Sequence, residues 1–157
     1  MEFSRQVTSF IHREHVETLG LLERVEAALA KAKVPPPEAA WSRLATELGA
    51  NLSNEIGRHF RFEEDELFPL VAGDGDIAAL LAAEHRAILS LAESILPRLK
   101  APAAAGAWPE LRQTILELIE RQVAHIQKEE MSLLPAIEDA IEADRDAELL
   151  SRYLAAA

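Results

Sequence analysis

Proline and glycine cut this chain into four stretches, each long enough to be one helix of a bundle. The three breaks are Pro35-Pro36-Pro37, Gly73-Asp74-Gly75-Asp76, and Pro102 to Pro109 with Gly106 between them. Proline cannot donate the helical hydrogen bond, and glycine-rich runs turn the chain. The segments between them, 2–33, 38–71, 76–100 and 109–143, carry apolar residues at three-and-four spacing. That is the period of a helix with one buried face. The inward stripes are Ile11, His15, Thr18, Leu22, Val25, Leu29; then Leu48, Leu52, Ile56, His59, Glu63, Leu67; then Ile77, Leu81, His85, Ile88, Ala92, Ile95. The fourth reads Leu111, Ile115, Leu118, Gln122, His125, Glu129, Ala136. Four amphipathic helices on short connections predict an all-α fold, an antiparallel up-down-up-down four-helix bundle. Asp74 or Asp76 is placed to cap the third helix. A short C-terminal helix, roughly Asp144 to Leu154, is expected across one end.

A chain of 157 residues suits one domain with one core, spanning 1–157. Its formal net charge of -11 disfavours nucleic acid and anionic membrane as partners. With no cysteine, disulfides, thiolate metal sites and iron–sulfur clusters are excluded. No run approaches the ~18 apolar residues of a membrane span, and the start Met1-Glu2-Phe3-Ser4-Arg5-Gln6 lacks the blocks of a secretory leader. A cytoplasmic location is the expectation. The oligomeric state is not written in the sequence.

The anomaly is polar: every inward stripe carries a histidine, and two carry a glutamate as well. The chain is also duplicated. His59-x-x-x-Glu63-Glu64-x-x-Leu67-Phe68-Pro69 recurs as His125-x-x-x-Glu129-Glu130-x-x-Leu133-Leu134-Pro135, and Glu14-His15-x-x-x-Leu19 recurs as Glu84-His85-x-x-x-Leu89, at offsets of 66 and 70 residues. Each half is thus a helical hairpin, one helix offering His and the other His-x-x-x-Glu. Residues four apart are neighbours on one helix face, so His59 with Glu63, and His125 with Glu129, reach one point. A single His on an apolar stripe is commonly a hydrogen-bonded core residue. Four stripes, one duplicated motif and a shared register are not explained that way. Two hairpins face to face collect four imidazoles and two carboxylates, a donor set suited to iron, zinc, copper or nickel. Cations there offset carboxylates that would be costly to bury alone.

The set His15, His59-x-x-x-Glu63, His85, His125-x-x-x-Glu129 resembles the hemerythrin-like, or HHE cation-binding, domain over roughly residues 5 to 140. The resemblance implies two iron ions with a bridging oxo or hydroxo group, manganese and zinc being the alternative metals. It makes His15, His59, His85 and His125 terminal ligands and Glu63 and Glu129 bridges. Oxygen-carrying hemerythrins have a second His four after the third-helix His, where this chain has Leu89, and an Asp five after the last His, where it has Glu130. The pattern is closer to the di-iron domain of Repair of Iron Centres proteins and to mycobacterial hemerythrin-like proteins, although the cysteine-bearing segment of the former is absent. Leu89 offers no ligand, so two accessible, more symmetric metals are expected, with irreversible oxidation in air rather than oxygen storage.

Neighbouring residues divide less sharply. His12 lies about 60° around the helix from His15, a supporting or surface residue. Glu64 and Glu130 lie about 100° from the His–Glu face, in solvent or between helices. Glu55 and Gln122, one turn before His59 and His125, either accept the free ring N–H of a metal-bound His or mark a wet bundle end. The ligand sets are expected to divide evenly, His15, His59 and Glu63 against His85, His125 and Glu129. The leading function is a non-haem di-iron protein that reacts with or senses dioxygen, nitric oxide or hydrogen peroxide. The alternative is a non-catalytic iron sensor or reservoir. No general base or substrate pocket is legible, so the sequence assigns no turnover.

Overall fold

The computed structural model describes residues 3–30, 36, 38–71, 73, 77–100 and 106–156. The first rod is α1 (Gln6–Ala30). The second begins as α2 (Glu38–Ala50), passes through a π-helical turn at Asn51–Glu55, continues as α3 (Ile56–Phe62), widens again at Glu63–Leu67 and ends in a 3₁₀ turn at Phe68–Leu70. The third is α4 (Ile77–Leu99). The fourth is α5 (Trp108–Lys128), a π turn at Glu129–Leu133, and α6 (Leu134–Ala140). A final helix, α7 (Ala143–Ala155), packs against α1. No strand occurs among the described residues, and no helix is long and apolar enough to cross a membrane. The chain is an all-α bundle of four rods with a short C-terminal helix. The proposed caps Asp74 and Asp76 lie outside the described residues, as do most residues of the proline-rich breaks.

The predicted stripes are the buried ones. In the second rod Leu48, Leu52, Ile56, His59, Glu63 and Leu67 are all buried; in the first only Thr18 of the stripe is partly exposed. Apolar side chains form two clusters. One contains Leu22, Val25, Leu29, Leu52, Ile88 and Trp108. The other contains Val7, Ile11, Leu67, Leu81, Leu133 and Tyr153. His15 lies between Ile11 and Leu22 along α1, and His85 between Leu81 and Ile88 along α4. The polar layer therefore crosses the bundle between two dry ends.

Two features were not predicted. The helices are widened at Glu63–Leu67 and Glu129–Leu133, with i→i+5 bonds from Phe68 N–H to Glu63 and from Leu134 N–H to Glu129. Pro69 and Pro135 follow each wide turn and cannot donate the next helical hydrogen bond. An extra residue in a turn leaves the apolar spacing on either side intact, so periodicity does not register it. The second feature is the start of α1. Glu138 accepts from Ser4 N–H at 2.6 Å and from Thr8 Oγ1 at 2.6 Å, and Asp146 accepts from Gln6 and Val7 N–H, each at 2.8 Å. Carboxylates from α6 and α7 thus satisfy helix-start donors and face the positive end of its dipole.

Candidate metal centre

α1, α3 with its following π turn, α4, and α5 with its π turn bring all six predicted donors into the middle of the bundle. His15, Glu63, His85, His125 and Glu129 are at most 3% exposed, and His59 is 8% exposed. The donors fall into two groups, His15, His59, Glu63, Glu129 and His85, His125, Glu63, Glu129, in each of which the donor atoms lie within 4.8 Å of one another. On one side, His59 Nε2 is 3.0 Å from Glu63 Oε1, His15 Nε2 is 3.2 Å from Glu129 Oε2, and the two Nε2 atoms are 3.2 Å apart. On the other, His85 Nε2 is 3.3 Å from Glu63 Oε2, and Glu129 Oε1 is 2.9 Å from His125 Nε2 and 3.6 Å from His85 Nε2. Each carboxylate turns one oxygen to each group. The histidines fall by halves, while both glutamates face both groups, as bridges would, rather than dividing with the histidines.

This set fits cations. Both oxygens of Glu63, both of Glu129, and Nε2 of His85 and of His125 are buried without a hydrogen-bond partner. An unsatisfied buried polar atom costs roughly 1–3 kcal/mol, and a charged one more. The distances also match: donors about 2.1 Å from one cation are about 3.0 Å apart at right angles and about 3.4 Å apart in a tetrahedron. Carboxylates this close also favour the charged form of an imidazole. Burial opposes a proton on His85, yet Glu129 and Glu63 outweigh it and lift its pKa to about 9. Burial likewise opposes protonation of His59, and Glu63 and Glu14 override it. Glu129 is held well below the usual carboxylate range, against its burial, by His125, His15 and His85.

The outer nitrogen of every ring meets a carboxylate from another rod. His15 Nδ1 is 2.6 Å from Glu130, His59 Nδ1 is 2.9 Å from Glu14, His85 Nδ1 is 2.7 Å from Glu64, and His125 Nδ1 is 2.9 Å from Glu84. On a neutral ring, an Nδ1–H donated outward leaves the Nε2 lone pair facing inward. These four carboxylates, and not Glu55 or Gln122, take the outer ring nitrogens. Glu55 instead accepts from Asn51 Nδ2 at 2.8 Å, and Gln122 is buried with its Oε1 unpaired. Glu64 and Glu130 do sit between helices, and His12 supports the centre through Glu130, at 2.9 Å. A signal was present: Glu-His and Glu-Glu pairs recur in both halves. Glu14 is further held by Arg58 at 3.0 Å and by Tyr153 Oη at 2.6 Å, whereas Lys128 holds Glu84.

The two sides are covered differently. Phe60 lies flat on the His85 ring, centroids 3.8 Å apart and planes 7° apart, and Phe68 stacks on it at 5.6 Å. A cleft of about 480 Å³ opens instead beside His15, His59 and Glu129. Two accessible, more symmetric metals were expected from Leu89. Leu89 is partly buried against an apolar cluster and supplies no ligand, but the rings of Phe60 and Phe68 close the side it was expected to open.

A helical bundle with a buried layer of histidines and shared carboxylates defines a class, the cation-binding four-helix bundles. The family model of the hemerythrin HHE cation binding domain matches residues 6–152, and the chain belongs to that family. No curated protein and no solved structure matches it.

Proposed function

We propose that the polar layer holds two iron ions, one in each donor group, and that the loaded protein reacts with a small ligand, dioxygen, nitric oxide or hydrogen peroxide. The observation that carries this is the sharing of Glu63 and Glu129: one oxygen of each faces either group, which suits two adjacent cations and not one. His15 and His59 would hold the first ion, His85 and His125 the second. Imidazole with carboxylate suits iron, and bound iron supplies Lewis-acid and redox chemistry to a molecule that reaches it. The protein's part is to orient and to exclude. Glu130, Glu14, Glu64 and Glu84 keep the rings in one tautomer. Phe60 and Phe68 keep water from His85, and the cleft admits a ligand beside His15 and His59.

A second reading, a non-catalytic iron sensor or reservoir, is favoured by the way the donors join all four rods, so that metal would brace the whole bundle. Adding hydrogen peroxide or nitric oxide to iron-loaded protein separates the two. Loss of either molecule over many turnovers supports reactivity. Negligible loss, with a large fall in Tm on iron removal, supports the reservoir.

A further inference from the structure

Gln122 is buried beside the centre with its amide oxygen unpaired. It lies on α5 one turn before His125, 2% exposed, and its Oε1 accepts no hydrogen bond. A buried amide oxygen left unpaired has given up its hydrogen bond to water without replacement. Helix packing does not require an amide here: at the repeat offset of 66 residues the corresponding position is Ile56, buried and apolar. Gln122 lines the cleft together with His15, His59 and Glu129, and these buried residues form its inner end. The terminal torsion of a glutamine is broad, so the amide of this lining residue can turn toward the cleft.

The mouth of the cleft restricts what enters. Its lining carries Glu17 and Glu55 besides two ion pairs, Arg24 with Glu47 at 2.7 Å and Arg58 with Glu14 at 3.0 Å. Both arginines are already paired, so the net charge there is negative and small anions are repelled. An unpaired acceptor at the inner end asks for a hydrogen-bond donor. Of the three ligands named above, only hydrogen peroxide has one.

We propose that Gln122 is a specificity-determining residue, accepting a hydrogen bond from a small uncharged O–H donor in the cleft and so selecting hydrogen peroxide over nitric oxide, dioxygen or an anion. This rests on the small-ligand reading above and narrows it.

The test uses zinc-loaded protein, which is redox-silent, titrated with hydrogen peroxide while the Gln122 side-chain amide resonances are followed by NMR. A saturable shift is expected with peroxide and none with sodium azide. Q122L, close in volume, should lose the peroxide response around the cleft while keeping its metal. In iron-loaded Q122L the KM for peroxide should rise about tenfold with kcat within about twofold, and nitric oxide binding should not change. An unresponsive Gln122 in metal-replete wild-type protein, or equal responses to azide and peroxide, overturns the assignment even if Q122L does not fold. A Gln122 that responds in protein unable to hold metal supports the assignment and overturns the di-iron reading instead.

Discussion

The two donor groups are alike in their atoms and unlike in their cover. Each has two histidines, one oxygen of Glu63 and one of Glu129, and each ring is supported by an outer carboxylate. Yet His85 lies between two phenyl rings while His15 and His59 face a cleft. The repeat itself accounts for the difference. Phe60 and Phe68 of the first half correspond to Ile126 and Leu134 of the second. Phe60 and Ile126 both border the cleft, but only a flat ring can lie on an imidazole face, as Phe60 does on His85. Duplication set the ligands, and divergence at a few apolar positions decided which side a solute reaches.

The largest effect should come from removing that cover. Phe60→Ala deletes a buried ring and is expected to cost about 3 kcal/mol of stability, the low end for such a change. Urea unfolding of the metal-free protein measures it. The same variant should release metal faster to a chelator, because His85 becomes reachable. Conversely, Ile126→Phe should narrow the cleft and slow ligand entry, making the two sides alike; unchanged stopped-flow association in that variant would break the comparison.

The outer carboxylates sharpen it further. Glu14 is anchored by Arg58 and Tyr153, whereas Glu64 is 41% exposed in its side chain and, among the described residues, meets only His85. Loss of such a partner typically lowers metal affinity 10- to 100-fold. Glu14→Gln should fall in that range and Glu64→Gln below it, since water can replace an exposed carboxylate. Competition with a metal-binding dye reads both values.

The smallest effect concerns α7 and the end of α6, which brace the first half at its helix start. Partial burial pushes the Glu138 carboxyl up, but hydrogen bonds from Ser4 and Thr8 and from the Ser4 and Arg5 N–H groups dominate and bring its pKa down to about 2. A depressed folded pKa contributes stability above the unfolded value, near 4.5, that is lost as pH falls through about 2. Wild type should therefore exceed Glu138→Gln in stability at pH 6, with the gap closing in acid. A gap independent of pH would show that the carboxylate's charge does not hold the start of α1.

Much of this was legible because helical spacing and metal ligation use the same period. His59 and Glu63 are four apart, so one rule marked both the buried stripe and the donors. The outer shell was not read, although its residues were in view. Glu14 and Glu84 precede histidines, and Glu64 and Glu130 follow glutamates, but each supports a ring on a different rod, and sequence does not say which rods adjoin. The angle of about 100° from the His–Glu face placed Glu64 and Glu130 in solvent or between helices, and between helices is where they lie; that they reach His85 and His15 was not legible. The unequal cover was also in the sequence, as Phe60 against Ile126, but its consequence depends on which ring each residue lies over.

Metal analysis of protein produced in iron-sufficient medium decides whether two cations share Glu63 and Glu129. The wild-type protein should carry about two iron atoms per chain, and Glu129→Ala should lose both, since that carboxylate faces both groups. A single tightly held ion in the wild type, or one full equivalent retained in Glu129→Ala, would contradict that sharing.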